Sequence, residues 1–594
     1  YGGSYNYNNS YRFTPDLDLG TTKMTSEGYR GASNGSYWSF KQYLTYRHEF
    51  GRNNIDAMLG HESQESSWEN VWGQRSGYLF NSVHELEVAD AKTAKTSSSR
   101  NSSSIESYYG RVNYSFDERY LLTATLRADG SSTFGPANRW GWFPSAAVAW
   151  RFQKESFLRD VEWLNNGKLR LGWGLVGNQN AGSYAYGAAM NSVPTGWGTG
   201  FYPANYSNEK LKWEQTKSWN AGIDLSFLNN RIEFIFDAYL KTTDNLLMQA
   251  ALPSYVSGVI NSPWVNTGSL RNKGLEFTLN TIPVATADFN WRSGLTFSLN
   301  RNKVLKLYTE STGIQGNIGG LTYTYTTVGE PVAQFYGYNV IGMFREENDF
   351  YRKDGNGDFI LDANGHKQFV AIPENKTIDR TTGIWYGDYI YEDVNEDGVI
   401  DEKDRVYLGN PEPKFTFGFN NSLTWRDFDM NVFFTGSVGN KVFNYMGQQQ
   451  SNPCDRWVML KSVRDFAMVT MIDPNGEKTL ENMHVENPDA TTYRIDQTSS
   501  NNNNRMSNVF VEDGSYLRLK NLSLGYTVPR KLTKRWSIDN IRFYVNIQNV
   551  FTITKYKGYD PEVGSYNQGV LLRGIDYARY PSQRIYTFGL NLNF

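Results

Sequence analysis

Alternation of apolar and polar residues with a period of two, sustained over long segments, sets the narrowest limits on this fold. In the last eleven residues, RIYTFGLNLNF, Tyr586, Phe588, Leu590, Leu592 and Phe594 fall on one face of an extended strand. Thr587, Gly589, Asn591 and Asn593 fall on the other. KFTFGFNNSLTW repeats the pattern with Phe415, Phe417, Phe419, Leu423 and Trp425 opposite Thr416, Gly418, Asn420, Ser422 and Thr424. YYGRVNYSF, a tight turn at Asp117-Glu118-Arg119 and YLLTATLRA read as a hairpin, and SWNAGIDLSFLNNRIEFIFDAYL reads as another with its turn at Asn229-Asn230.

Alternation alone also suits a soluble sandwich or propeller. Segment length separates them: many of these strands run about 9 to 14 residues, the length a tilted strand needs to cross a bilayer, whereas soluble strands average about 5 to 6. Connector length separates them again. Short turns near 117–119, 229–230, 281–288 and 426–427 alternate with long connectors expected at 65–106, 177–212, 242–269, 302–412, 438–513 and 553–582. Short turns on one side and long loops on the other describe an outer-membrane barrel. Parity requires 302–412 to be one extracellular loop, so PVAQFYGYNVIGMF (331–344) is not a membrane strand. The fold class is therefore all-β, a transmembrane antiparallel barrel with about sixteen strands here of about 22 in all. The missing strands are expected before Tyr1.

Lipid offers the backbone no hydrogen-bond partner, so a spanning sheet must close on itself, apolar face outward and Asn, Thr and Arg inward. Aromatic content of 15%, with 40 Tyr, 34 Phe and 17 Trp, supplies strand formers and interfacial girdles. Charge is balanced, 59 Lys plus Arg against 61 Asp plus Glu, which argues against nucleic acid as a partner. No apolar run approaches the roughly 20 residues of a spanning helix. The single cysteine, Cys454, rules out an internal disulfide, and His48, His61, His84, His366 and His484 are scattered. No HExxH pair and no phosphate-binding glycine loop feeding a helix is present, so no catalytic residue is assigned and the chain is not read as an enzyme. Asp129 and Glu276 are expected in salt bridges to Arg111, Arg127 or Arg170. Loop aromatics such as Trp197, Tyr202 and Tyr206 suit stacking on sugar rings or peptide side chains and equally suit packing between loops, and no substrate-binding residue is assigned.

The ordered set RWGWFPSAAVAWRF (139–152), LRLGWGLVGNQNAG (169–182), NTGSLRNKGLEFTLN (266–280), FYGYNVIGMF (335–344), EDGSYLRLKNLSLGYTVP (512–529), VNIQNVFTITKYKGYDPEV (545–563) and the terminal TFGLNLNF resembles SusC-type (SusC/RagA) TonB-dependent transporters of the Gram-negative outer membrane. The resemblance covers nearly all of residues 1–594, as the C-terminal part of such a barrel. It implies import of oligomeric glycans or peptides beside a SusD-like surface lipoprotein, energised through TonB, in contact with membrane lipid and lipopolysaccharide, with pairing of two such complexes as a dimer. The N-terminal plug, TonB-contacting segment and signal peptide that it implies are not found in these residues. The rival readings are an outer-membrane barrel protease or lipase and a calcium-dependent surface adhesin.

DVNEDGVIDEKD (393–404) has the spacing of a calcium loop. Asp393, Asn395, Asp397 and Asp401 occupy positions 1, 3, 5 and 9, Gly398 the sharp turn, Val399 the carbonyl position and Asp404 the closing position. Calcium would be structural, stiffening an extracellular loop, and it is the one cofactor the sequence suggests. The alternative is an Asx-rich turn that caps its own backbone. A weaker echo places Asp354, Asn356, Asp358 and Asp362 similarly, without the glycine at position 6 and with Gly365 at 12.

Overall fold

The computed structural model describes residues 1–594 apart from 19, 21–22, 251–259, 309–312, 454–457, 496–500 and 535–536. Cys454 lies outside the described residues. Sixteen strands form one sheet in which chain order is sheet order. They are β1 (Gly2–Thr14), β2 (Glu27–Phe50), β3 (Asn53–Ser76), β4 (Lys95–Phe116), β5 (Tyr120–Ser131), β6 (Trp140–Arg151), β7 (Leu164–Asn178) and β8 (Glu214–Phe227). Then follow β9 (Ile232–Asp244), β10 (Ser269–Ala285), β11 (Phe289–Lys306), β12 (Phe415–Trp425), β13 (Phe428–Val438), β14 (Tyr516–Thr527), β15 (Asn540–Thr554) and β16 (Ile585–Asn593). Such a meander puts successive connectors at alternate strand ends. One set is 51–52, 117–119, 152–163, 228–231, 286–288, 426–427 and 528–539; the other includes 179–213, 307–414, 439–515 and 555–584. Segment 331–344 contributes only Gln334–Tyr338 and Val340–Met343, which belong to small sheets of their own.

The expected long loop at 65–106 is corrected. β3 runs on to Ser76 and β4 starts at Lys95, so only 77–94 connects them, and β2, β3 and β4 are 24, 24 and 22 residues long. KTSSSRNSSS carries no apolar alternation, so its extended state follows from the unbroken ladder it makes with β3.

The chain divides into two compact units, one of Tyr1–Asp224 and Ala238–Arg271, the other of Leu225–Asp237 and Asn272–Phe594. In the first, Tyr46, Ala57, Val112, Ala124, Ala146 and Trp173 stand opposite one another across β2 to β7. One residue along, on the other face, the row reads Arg47, Asp56, Asn113, Thr123, Ala147, Gly172. In the second unit Trp291, Leu423, Met430, Leu524, Val545 and Phe588 form the apolar row, and Arg292, Ser422, Asn431, Ser523, Asn546 and Thr587 the polar one. Period two and an in-register ladder thus turn sequence alternation into two chemically different faces.

The apolar face is open. Leu59 is 69% exposed, Leu590 52% and Phe588 76%, while Phe415 is half-buried; none of these sits between stacked sheets. Aromatic rows bound the band at the short-turn end, Phe116, Tyr120 and Trp150 in one unit and Trp425, Phe428, Tyr526 and Phe543 in the other. Trp142 and Trp150, on the same face of β6, are about 26 Å apart along the strand, close to the height of a lipid-facing band. Buried clusters lie instead in the connectors: Phe134, Leu211 and Trp213 in the first unit; Phe344, Phe350, Tyr386 and Tyr391, and separately Tyr323, Phe335 and Phe443, in the second.

Glycines on the polar face receive aromatic rings from directly opposite. A Cβ on Gly60 would meet the Tyr109 ring at 2.2 Å and one on Gly589 the Tyr544 ring at 2.1 Å, so glycine there lets a large ring lie flat on the neighbouring strand.

Candidate functional site

Ion pairs line the polar face of the sheet. Arg127 reaches Asp129 at 2.7 Å and Glu62 at 3.7 Å, and Glu62 also holds Lys41 at 2.8 Å. Arg170 grips Asp224 from the next strand, with Nε and Nη2 at 3.0 and 2.7 Å from Oδ1. Arg542 reaches over Gly525 to Asp429, two strands away, with bonds of 2.9 and 2.6 Å. Of the expected acidic partners, Asp129 is thus paired with Arg127, while Arg170 takes Asp224, an acid that spacing did not single out. These pairs keep the face charged yet locally neutral, as a hydrated wall requires.

In the second unit two long connectors are clasped by a buried charge pair. Asp388 is fully buried; it accepts from Arg494 Nε at 2.8 Å and Nη2 at 3.1 Å, from Asn503 Nδ2 at 2.9 Å and from the Trp385 amide at 2.9 Å. Arg494 also donates to the carbonyls of Arg380 and Gly383. Burial raises the Asp388 carboxyl above its ordinary range, against the pull of Arg494. Neither residue stood out in the sequence, because partners 106 positions apart leave no local spacing to detect.

The 393–404 stretch is a tight turn with Gly398 at φ 85°. Asp393 Oδ2 accepts from the Gly398 amide at 2.9 Å, Asn395 Oδ1 from Asp397 N at 3.2 Å and Asp397 Oδ1 from Val399 N at 3.0 Å. Asp401 Oδ1 caps Lys403 N at 2.7 Å, and the buried Asp404 accepts from the Val394 and Asp401 amides at 2.9 and 2.7 Å. Lys403, which the spacing argument passed over, places Nζ 3.2 Å from Asp401 and 3.6 Å from Asp397. The Asn395 amide, the Val399 N–H and Lys403 hold the Asp397 carboxyl below its usual range. Asp393 Oδ1 is buried without a partner, which suits a cation ligand. No three His, Cys, Asp or Glu side chains among the described residues converge as a metal site. In the weaker echo, Asp354 caps Asn356 N and Asp358 N, and Asp362 caps Asn364 N and His366 N.

Trp197 is fully exposed at the tip of a hairpin formed by Met190–Thr195 and Gly198–Pro203, and Tyr202 lies on its second strand. Tyr206 lies beyond it, where its amide bonds to the Asn261 carbonyl.

Residues 1–550 match the family model described as "TonB dependent receptor-like, beta-barrel". The chain belongs to the TonB-dependent receptor family. This receptor chain is 32% identical to TonB-dependent receptor P3 of Formosa agariphila, over 97% of the chain and 54% of that protein. It is 30% identical to TonB-dependent receptor SusC of Bacteroides thetaiotaomicron, over 100% of the chain and 55% of that protein. It therefore spans about half the length of the relatives it matches. Structures of the RagAB peptide importer in the closed-closed state share its fold, with a TM-score of 0.77 at 23% identity over 100% of this chain and 59% of that one. The family is one of Gram-negative outer-membrane receptors, in agreement with the open apolar face of the sheet.

Proposed function

We propose that this receptor chain supplies sixteen strands to a closed barrel of about 22, whose remaining strands and plug lie outside this sequence, and that the barrel imports oligomeric nutrients. A SusD-like surface lipoprotein captures the glycan or peptide, TonB energises its passage, and two such pairs assemble as a dimer. The long connectors, 307–414 among them, face the outside of the cell. The observation that carries this reading is the pair of faces: an exposed apolar band on one side of sixteen antiparallel strands and an ion-paired polar wall on the other. Kinship with SusC and the fold of the RagAB peptide importer support the cargo class. Deleting the full-length gene should abolish growth on at least one oligomeric glycan or peptide mixture while leaving growth on the monomers intact. Unchanged growth on every oligomer tried would count decisively against import.

Calcium at 393–404 belongs to the same reading as a structural ion. Asp393, Asn395, Asp397, Asp401 and Asp404, with the Val399 carbonyl, would hold it and displace Lys403. Added calcium should raise the melting temperature of the full-length receptor, and Asp393→Asn with Asp397→Asn should remove that gain. An equal gain in the double variant would show that the loop merely caps its own backbone.

A further inference from the structure

Beyond the apolar band, β1 to β4 continue as a four-stranded wall whose two faces differ in charge. Because the three ladders run without a bulge, odd and even positions can be assigned to faces by register alone. One face carries Arg30, Glu65, Glu69, Arg100 and Glu106. The other continues the polar face of the band and carries no charge between the Lys41–Glu62–Arg127 cluster at one end and the Arg12–Glu27 pair with Lys95 at the other. Every position on it in between is Ser, Asn, Gln, Gly, Ile, Tyr or Trp.

On that uncharged face Trp68 is 44% exposed and lies against Gly35, while Tyr37, 39% exposed, donates its hydroxyl to Gln64 at 3.0 Å. Trp72, four residues further along β3 and so about 13 Å away, stacks on Tyr29 with ring centroids 5.7 Å apart. Asn70 between them accepts from Ser99 Oγ at 2.6 Å. A wall needed only for solubility carries charges, as the opposite face does. Aromatic faces spaced along a lawn of hydroxyl and amide groups offer stacking together with hydrogen bonds of both senses, and no ionic contact.

We propose that this face of β1 to β4 is a docking surface for an uncharged oligosaccharide, with Trp68 and Trp72 stacking on its sugar rings and Tyr37, Gln64 and Asn70 meeting its hydroxyls. The assignment rests on the importer reading and narrows its cargo. A peptide is the weaker fit, because its termini and charged side chains would find no counter-ion between the two charged ends of this face.

The test uses the full-length receptor, purified in detergent and expressed in cells, with fluorescent dextran, xylan, mannan and polyuronate fragments and a tryptic peptide mixture as probes. At least one uncharged glycan should bind, and Trp68→Ala and Trp72→Ala should each weaken it about tenfold, the worth of one stacked ring. Trp68→Phe should weaken it less, and Trp219→Ala, on the band, should leave it unchanged. Heat-modifiable mobility of each variant reports folding, and Trp68→Phe keeps the test open if an alanine variant fails to assemble. Unchanged binding in the tryptophan variants, retention of only charged probes, or loss of the partner lipoprotein without loss of glycan would overturn the docking surface while leaving import intact. Absence of any uptake by wild-type cells would overturn both.

Discussion

At residue scale the informative groups are carboxylates whose surroundings fix their charge. Asp560, in the 555–584 connector, is pushed upward by burial, but the amides of Glu562 and Ser582 and the Arg518 guanidinium outweigh that and hold it at about 2, from an ordinary 3.8. Arg518 on β14 is itself almost wholly buried and also bonds Glu562 at 2.8 Å, so this cluster pins the connector to the sheet. The folded value is depressed, so the stabilisation is complete above pH 4 and is lost as the pH falls from about 4 to about 2. Hydrogen exchange across 555–584 should accelerate over that window. Asp560→Asn should exchange fast already at neutral pH and lose the pH step; an unchanged step would place the titration elsewhere. Little of this was legible beforehand, since an acid 42 residues from its arginine looks like any solvated loop charge.

At element scale, legibility depended on which solvent each strand face meets. Strands of the band, such as β12, β13 and β16, declare themselves because one face meets lipid and the other does not, which forces alternation. Beyond the band, β2, β3 and β4 carry polar or charged residues on both faces, so no period shows, and the SSSRNSSS run reads as loop although it is strand. The 307–414 connector hid its clusters around Phe350 and Phe335 for a different reason: their members are far apart in the chain, and each cluster is completed from other connectors, by Met483, Val485 and Tyr493 around Phe350 and by Phe443, Phe510 and Ile575 around Phe335. The turn at 393–404 showed its spacing plainly, but not that Lys403 sits among its acids. Strand packing also hides in glycines. A Cβ on Gly525 of β14 would lie 2.4 Å from Asp429 Oδ1 and 2.5 Å from Arg542 Nη2, so this glycine lets an ion pair bridge β13 and β15 across the strand between them. Gly525→Ala should cost about 1–3 kcal/mol in urea unfolding of the full-length receptor in vesicles, the range for forcing an extra methyl into a filled site. In an Asp429→Ala background the cost should shrink, because the crowded partner is gone; equal costs in both backgrounds would show that the ion pair is not what Gly525 accommodates.

At the scale of the whole molecule, the usual relation between burial and hydrophobicity is inverted in the sheet and restored in the connectors. Leu59, Val112, Leu126 and Phe588 stand open on the sheet, while Phe350, Tyr386 and Phe443 are sealed in connectors. Water as the only solvent would penalise that band at about 25 cal/mol per Å² of apolar surface, and lipid removes the penalty. The inversion predicts a dependence on face and depth that a water-soluble sheet would not show. Val112 sits mid-band between Ala57 and Ala124, so Val112→Arg should cost about 2–4 kcal/mol in vesicles and lower the amount of assembled receptor. Asn113 is its neighbour on the polar face, beside Asp56 and Thr123, so Asn113→Arg should cost far less although it adds the same charge one residue away. Trp425→Arg, in the aromatic row beside the short turn 426–427, should fall between them, because an arginine there can reach headgroups. Equal costs at 112 and 113 would mean that the two faces meet the same solvent, and a lipid-spanning wall could not then be what these strands build.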